Sequence, residues 1–165
     1  MTYQTYFGSL DKFEKGTIEL INDKATNYAF SNIFEVASRS RPYEKVVVGK
    51  NLQYVIETLR AEGESSWFAA SHDEFAIVMD GEVEVNFIKL DNPATIVPPA
   101  KEGSVRIEGK PVGKKMGLVR LKRGHQALLP AGAAYQFRAV QRGVLVLQTI
   151  LGDHSVERWK EICYQ

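Results

Sequence analysis

The chain has 165 residues, of which 44% are hydrophobic and 25% charged, and its formal net charge is +1. That balance gives no electrostatic reason to expect a nucleic-acid or membrane-surface partner, and no apolar stretch approaches the roughly 20 residues that a membrane span needs. The length suits one domain with a sizeable core. The single cysteine, Cys163, cannot form an internal disulfide, which fits a reducing compartment. The N-terminal MTYQTYFGSLDKFEK lacks the basic-then-apolar pattern of a signal peptide, so the expected location is the cytoplasm.

Residues 1–44 read as an aromatic-rich N-terminal arm (Tyr3, Tyr6, Phe7, Phe13, Tyr28, Phe30, Phe34, Tyr43) with no clean period. Short strands are expected at Thr17–Ile21 and over Tyr28, Phe30 and then Ile33–Val36. The arm either caps the end of the β-structure that follows or packs on another chain, since aromatics are enriched at interface cores. From Lys45 the signal sharpens. Val46-Val47-Val48 is a β-branched run closed by Gly49. Leu52, Tyr54 and Ile56 alternate with Gln53, Val55 and Glu57, and Gly63–Ser66 is a loop. Phe75, Ile77 and Met79 alternate before Asp80-Gly81, and Val83, Val85 and Phe87 alternate after it. Asp-Gly between two such runs predicts a tight hairpin whose central residues both take positive φ.

Residues 91–117 interrupt the pattern with Pro93, Pro98, Pro99 and Pro111 and with four glycines. An excursion of this length is either a solvated face or an element that docks a partner, and Lys101, Arg106, Lys110, Lys114 and Lys115 make it locally basic. Strands resume at Leu118–Leu121, Gln126–Leu129, Tyr135–Arg138 and Val144–Ile150. Asp153 or Ser155 can cap a short C-terminal helix over 153–162, with Val156, Trp159 and Cys163 on its buried face. Many short strands with Gly and Pro turns describe an all-β chain: a single domain, 1–165, with a small antiparallel barrel over 45–150.

Chemistry-bearing residues gather at Ser71-His72-Asp73-Glu74, where a strand begins. Residues two apart on a strand share a face, so His72 and Glu74 could form an acid/base couple in a metal-free lyase or isomerase. Equally, Glu74 could pair with a cationic or hydroxyl partner inside the barrel while His72 caps the strand mouth. Trp67 is a candidate for a pocket wall, an interface or simple packing at the barrel end. His125 reads as a turn residue and His154 as a helix-start residue.

Two segments resemble the cupin superfamily. Glu74, followed seven residues later by Gly81 in E-F-A-I-V-M-D-G, is similar to the second half of the first cupin motif, and Gly124-His125-Gln126-Ala127-Leu128-Leu129-Pro130-Ala131-Gly132 is similar to the second. The resemblance covers about residues 45–150 and implies a jelly-roll barrel with a pocket inside. In metal-binding cupins the first motif supplies two histidines and a carboxylate and the second supplies a further histidine, a set suited to Fe(II) or Mn(II). Carried onto this chain, the histidine positions hold Phe68, Ala70 and Tyr135, and only Glu74 remains of the ligand set. A phenyl ring and a methyl group cannot coordinate, so no metal is expected in this chain. Tyr135 could instead hydrogen-bond Glu74 across the pocket.

A narrower resemblance rests on W-F-A-A-S-H-D-E-F-A-I-V-M-D-G-E-V-E-V, G-H-Q-A-L-L-P-A-G-A-A-Y-Q-F and L-Q-T-I-L-G-D-H-S-V-E-R-W-K-E-I-C. Together these resemble the small subunit of two-component hydroquinone 1,2-dioxygenases across nearly the whole chain. The resemblance implies a larger cupin-type partner subunit carrying non-haem Fe(II). The assembled enzyme would open hydroquinone with O2 to 4-hydroxymuconic semialdehyde in the degradation of 4-nitrophenol and related aromatics. In that setting Trp67, Phe68, the 91–117 excursion and the N-terminal arm are the candidate contacts, with His72, Glu74 and Tyr135 as pocket remnants. The competing readings are the stand-alone lyase or isomerase working through His72 and Glu74, and a small-molecule-binding cupin without chemistry.

Overall fold

The computed structural model describes residues 8–13, 19–20, 28–30 and 32–159 of the chain. One strand organises it. The strand β11 (Ala133–Ile150) is 18 residues long and lies in two sheets. Its second half pairs antiparallel with β4 (Tyr54–Glu64) on one side and with β6 (Glu74–Asp80) on the other. The first sheet extends from β4 through β3 (Lys45–Asn51), β2 (Tyr28–Phe30) and β1 (Glu19–Leu20), and beyond β6 to β10 (Gln126–Leu129). The first half of β11 pairs with β5 (Trp67–Ala70) and β7 (Glu82–Leu90). Those are flanked in turn by β8 (Ser104–Ile107) and β9 (Gly113–Lys122). The two sheets face one another across Leu59, Phe68, Val78, Val85, Phe137 and Leu147. This is the all-β barrel expected, with each strand pointing alternate side chains inward.

Several local expectations are corrected. Asp80-Gly81 does not close a hairpin, because β6 and β7 do not pair with each other. Each pairs with a different half of β11. Gly81 has φ +75, whereas Asp80 is not in the positive-φ region. The turn is a corner between sheets, and it passes so close to the bend of β11 that a Cβ on Gly143 would lie 2.5 Å from the Asp80 carbonyl oxygen. Register slips at that bend, between Ala139 and Gly143, so the two expected strands Tyr135–Arg138 and Val144–Ile150 are one bulged strand.

Ile33–Val36 is not a strand but the start of α1 (Ile33–Arg39), capped by the Asn32 side chain, which accepts from the Phe34 and Glu35 amides. Its apolar side, Ile33 and Val36, packs on Val46 and Val48 of β3. Leu52 leaves the strand it was assigned to and sits at φ +57 in the turn between β3 and β4. The arm is not separate from the barrel, since β1 and β2 extend a sheet and Leu10 N–H donates to Asp80 Oδ2. Thr17, Ile21 and the aromatics Tyr3, Tyr6 and Phe7 lie outside the described residues.

The 91–117 excursion is structured. Its short α2 (Pro93–Ile96) lies over Trp67, Ile88 and Leu90 on the outer face of the second sheet, and Ser104–Ile107 adds β8 beside β5. Trp67 therefore packs outside the barrel interior. The helix expected over 153–162 does not begin at Asp153: Asp153-His154 is a turn, and Ser155–Val156 forms β12, parallel to Lys45-Val46. Helical backbone starts at Trp159, and Cys163 lies outside the described residues. Among the described residues no helix is long and apolar enough to cross a membrane.

Candidate functional site

The four polar residues before β6 each have a distinct partner. Ser71 Oγ donates to the Lys101 carbonyl, and Asp73 Oδ1 accepts from the Ala131 amide. His72 lies in the bend ahead of the strand rather than on it. It meets Glu74 only through Thr149: His72 Nε2 is 3.1 Å from Thr149 Oγ1, which donates to Glu74 Oε1 at 2.6 Å. With the Thr149 proton committed to Glu74, the imidazole nitrogen must be the donor.

Glu74 points into the barrel from the start of β6. Its other oxygen accepts from the Tyr135 hydroxyl at 2.6 Å, so the tyrosine in a histidine position of the cupin pattern does bond the remaining carboxylate. Burial, then the Glu74 charge, push the Tyr135 hydroxyl far above the ordinary tyrosine range, which keeps it protonated and donating. Phe68 and Tyr135, both at positions where the cupin pattern has histidines, stack with ring centroids 6.1 Å apart. These side chains fill the interior with rings. Among the described residues no three His, Cys, Asp or Glu side chains are grouped to hold a metal, and the cupin ligand positions do not suit one.

Two charged residues that sequence reasoning passed over, Lys45 and Glu57, complete the cluster. Lys45, at the first position of β3, turns inward and donates to Ser104 Oγ at 2.5 Å and to the Tyr135 hydroxyl at 3.3 Å. Its ammonium lies 4.4 Å from the Phe68 ring centroid. Glu57, inward on β4, accepts from Ser155 Oγ at 2.5 Å, while its Oε2 has no hydrogen-bond partner among the described residues. Glu74, Glu57 and Lys45 are 0%, 1% and 3% exposed, so two buried acids and one buried cation share the interior. A lysine beside a valine run and a glutamate at an alternating inward position were the available signals.

Burial raises the Glu57 carboxyl above the usual carboxylate range, the Glu74 charge adds to this, and Lys45 and Ser155 oppose it. A carboxyl with a raised folded-state pKa contributes stability that is complete below its unfolded pKa and lost as pH rises through the folded value. Glu57→Gln mimics the protonated form. It should raise the urea midpoint at neutral pH, with the gain vanishing as the buffer is taken below pH 4; an unchanged midpoint at pH 7 would show that Glu57 carries its charge at no cost.

The cluster's Lys45 end opens to solvent through a cleft of about 420 Å³ lined by residues that include Tyr43, Ser65, Phe68, Arg106 and His154. His154 stands edge-on to Phe68 with centroids 5.9 Å apart. Burial, with Lys45 nearby, lowers its pKa below the ordinary histidine value. It is thus a cleft residue and not a helix start. Neither His72 nor Glu74 lines this cleft. His125 is exposed in the turn before β10, as expected, where its Nδ1 accepts from the Lys122 amide.

No protein-family model matches the chain, and neither does any curated protein. Solved structures do. A chain of hydroquinone 1,2-dioxygenase PnpCD, crystallised with Cd2+ and 4-hydroxybenzonitrile, matches over 99% of this chain and 98% of its own length at 62% identity and a TM-score of 0.85. A chain of hydroquinone 1,2-dioxygenase from Sphingomonas sp. TTNP3, with 4-hydroxybenzoate bound, matches over 99% of both chains at 49% identity and a TM-score of 0.88. Two remote likenesses bear on the fold alone. One is a cupin-2 domain protein from Shewanella frigidimarina, which shares 16% identity over 71% of this chain and 89% of its own, with a TM-score of 0.51. The other is a PnpCD chain in complex with Fe3+, which shares 15% identity over 73% of this chain but 32% of its own, with a TM-score of 0.55. That PnpCD chain is therefore more than twice as long as this one. Matched end to end by two hydroquinone dioxygenase chains of its own length, and with a cupin-type fold, this chain belongs to the small-subunit family of two-component hydroquinone 1,2-dioxygenases.

Proposed function

We propose that this chain is the non-catalytic small subunit of an iron-dependent hydroquinone 1,2-dioxygenase, working in the cytoplasm beside a larger, metal-bearing cupin subunit. The assembled enzyme cleaves the hydroquinone ring beside a hydroxyl-bearing carbon and retains both atoms of O2 in 4-hydroxymuconic semialdehyde. One observation carries the division of labour: in a barrel of this family, the ligand positions hold Phe68, Ala70 and Tyr135, and both oxygens of Glu74 are engaged by hydroxyl donors. A centre that must bind a substrate hydroxyl and O2 needs open coordination positions, and this interior offers neither the donors nor the space. In this reading the iron, the substrate and O2 belong to the larger subunit, and this chain supplies interface and support. The metal-free acid/base alternative has less to stand on, because Glu74 is sealed from the cleft and His72 reaches it only through Thr149.

The test is reconstitution. The chain alone, a hydroquinone dioxygenase large subunit alone and the mixture are each assayed for bound iron and for O2 uptake with hydroquinone. Iron should travel with the larger subunit, and sustained uptake should need both chains. His72→Ala should leave turnover of the complex within about 2-fold, far from the roughly 10²-fold or greater loss expected for a general base. Stoichiometric iron on the lone chain, or turnover by it, would overturn the reading.

A further inference from the structure

The two outer faces of the barrel differ sharply in chemistry. The second sheet presents a lattice of charges across β7, β9 and β11: Arg120 pairs with Glu84 at 2.6 Å and Glu82 at 3.2 Å, and Arg138 approaches Glu84 at 3.6 Å. On the first sheet the ion pairs, Lys50 with Glu157 and Glu62 with Arg60 and Arg142, lie outside two adjoining rows. Pairing places Ile56, Gln148, Phe75 and Leu128 in one outward row across β4, β11, β6 and β10. The next row runs through Thr58, Val146, Ile77 and Gln126. No position in either row is charged. On β6 the outward residues Phe75, Ile77 and Met79 are as apolar as the inward Ala76 and Val78, which is the pattern of a strand covered on both sides. Yet Tyr54, Ile56, Phe75 and Leu128 are 57%, 41%, 42% and 46% exposed. The Thr58–Val146 end of the second row is buried, with helix α1 over it, and Thr58 Oγ1 donates to the Ile33 carbonyl.

Four strands about 4.8 Å apart, each with two to three outward residues, make an uncharged patch of roughly 400 Å². That reaches the size of the largest apolar patch on an ordinary monomer and is about half of the ~800 Å² per partner in a standard interface. It suits the core of such an interface, with Gln148 as one uncharged polar side chain within it and Gln126 and the neighbouring turns as the polar rim. The related PnpCD enzyme contains, besides a chain like this one, a chain more than twice as long, 32% of which matches this fold at low identity.

We propose that the outer face of the β4–β11–β6–β10 sheet, centred on Phe75, is the docking surface for the larger cupin subunit. This rests on the small-subunit reading above. It places the contact on the face of the sheet, whereas the sequence directed attention to the Trp67 strand mouth and the 91–117 excursion.

The experiment measures association of the full-length chain with a hydroquinone dioxygenase large subunit by titration calorimetry and size-exclusion chromatography. Phe75→Glu and Leu128→Lys should each weaken association about 100-fold, because each buries an unpaired charge in the contact. Both variants should keep the wild-type circular dichroism and melting temperature, since the changed side chains project to solvent in the lone chain. Arg120→Ala, on the charged face, should bind like the wild type. Unimpaired association of the folded variants would overturn the proposal. So would a lone chain that self-associates through Phe75 while its Phe75→Glu variant still binds the larger subunit. If the wild-type chain binds no large subunit at all, it is the small-subunit reading that fails, which the reconstitution assay reports separately.

Discussion

Lys45→Met should cost this protein on the order of 3–5 kcal/mol of stability, the range for removing one partner from a buried charged cluster. For a chain of this size that is a fall of roughly 6–20 °C in melting temperature. Methionine matches the lysine side chain in length and apolar character, so the loss isolates the ammonium. Lys45 is the only buried cation among the described residues. It faces Tyr135 and Ser104 directly and counters the charge at Glu57. Without it, both carboxyl groups stay in the barrel with hydroxyl donors alone. Urea unfolding with a two-state fit measures the effect. Introducing Glu57→Gln into Lys45→Met should recover part of the loss, because the two sites share one interaction and their effects cannot be additive. A Lys45→Met variant within about 1 kcal/mol of wild type would mean that the cluster is held by packing rather than charge.

Gly103→Ala should be comparably severe for a different reason. Gly103 has φ +69, and a Cβ there would lie 2.4 Å from the Gly152 Cα; a Cβ on Gly152 would lie 2.6 Å from the Gly103 Cα. The excursion and the segment leaving β11 cross backbone to backbone at this point, and neither side has a flexible tip that could yield. Left-handed backbone costs a residue with a Cβ about 1–3 kcal/mol, and overpacking adds about 1–3 more. Gly109→Ala separates the two: its φ is +70 but nothing lies within 4 Å of the added carbon. Thermal melts should show Gly109→Ala losing only the backbone part and Gly103→Ala losing both. Equal losses would remove the crossing from the explanation. Ser104 and His154 flank this crossing, so the damage should reach the Lys45 cluster as well.

What was legible in the chain was whatever depends on neighbours in sequence. The spacings Glu74–Gly81 and Gly124–Gly132 mark turns whose geometry is local, and Phe68, Ala70 and Tyr135 occupy readable motif positions, so the departure from the cupin ligand pattern is visible without coordinates. Asn32, three residues before Glu35, carried a helix-start signal for α1 that the apolar run Ile33–Val36 concealed. The Asp80-Gly81 turn was correctly located and wrongly interpreted. A turn dipeptide reports that the chain reverses but not which strand the flanking runs will choose, and here β11 takes both. The interior cluster was the least legible. Lys45, Glu57, Ser104, Tyr135 and Thr149 come from four strands, with Lys45 and Tyr135 90 positions apart. In β3, moreover, the burial of Lys45 through Gly49 without interruption hides which side chains point inward.

The double membership of β11 bears on how this protein is made. β4, β5, β6 and β7 all precede it in the chain, and all pair with it. A nascent chain whose ribosome has not yet released residues 133–150 therefore holds four strands with an open edge each and no means of closing either sheet. Such a topology delays its long-range pairings to the last step, slows folding and leaves apolar edges exposed meanwhile. Folding in the cell should then begin in earnest only after β11 emerges from the exit tunnel, and chaperone demand should peak just before that point.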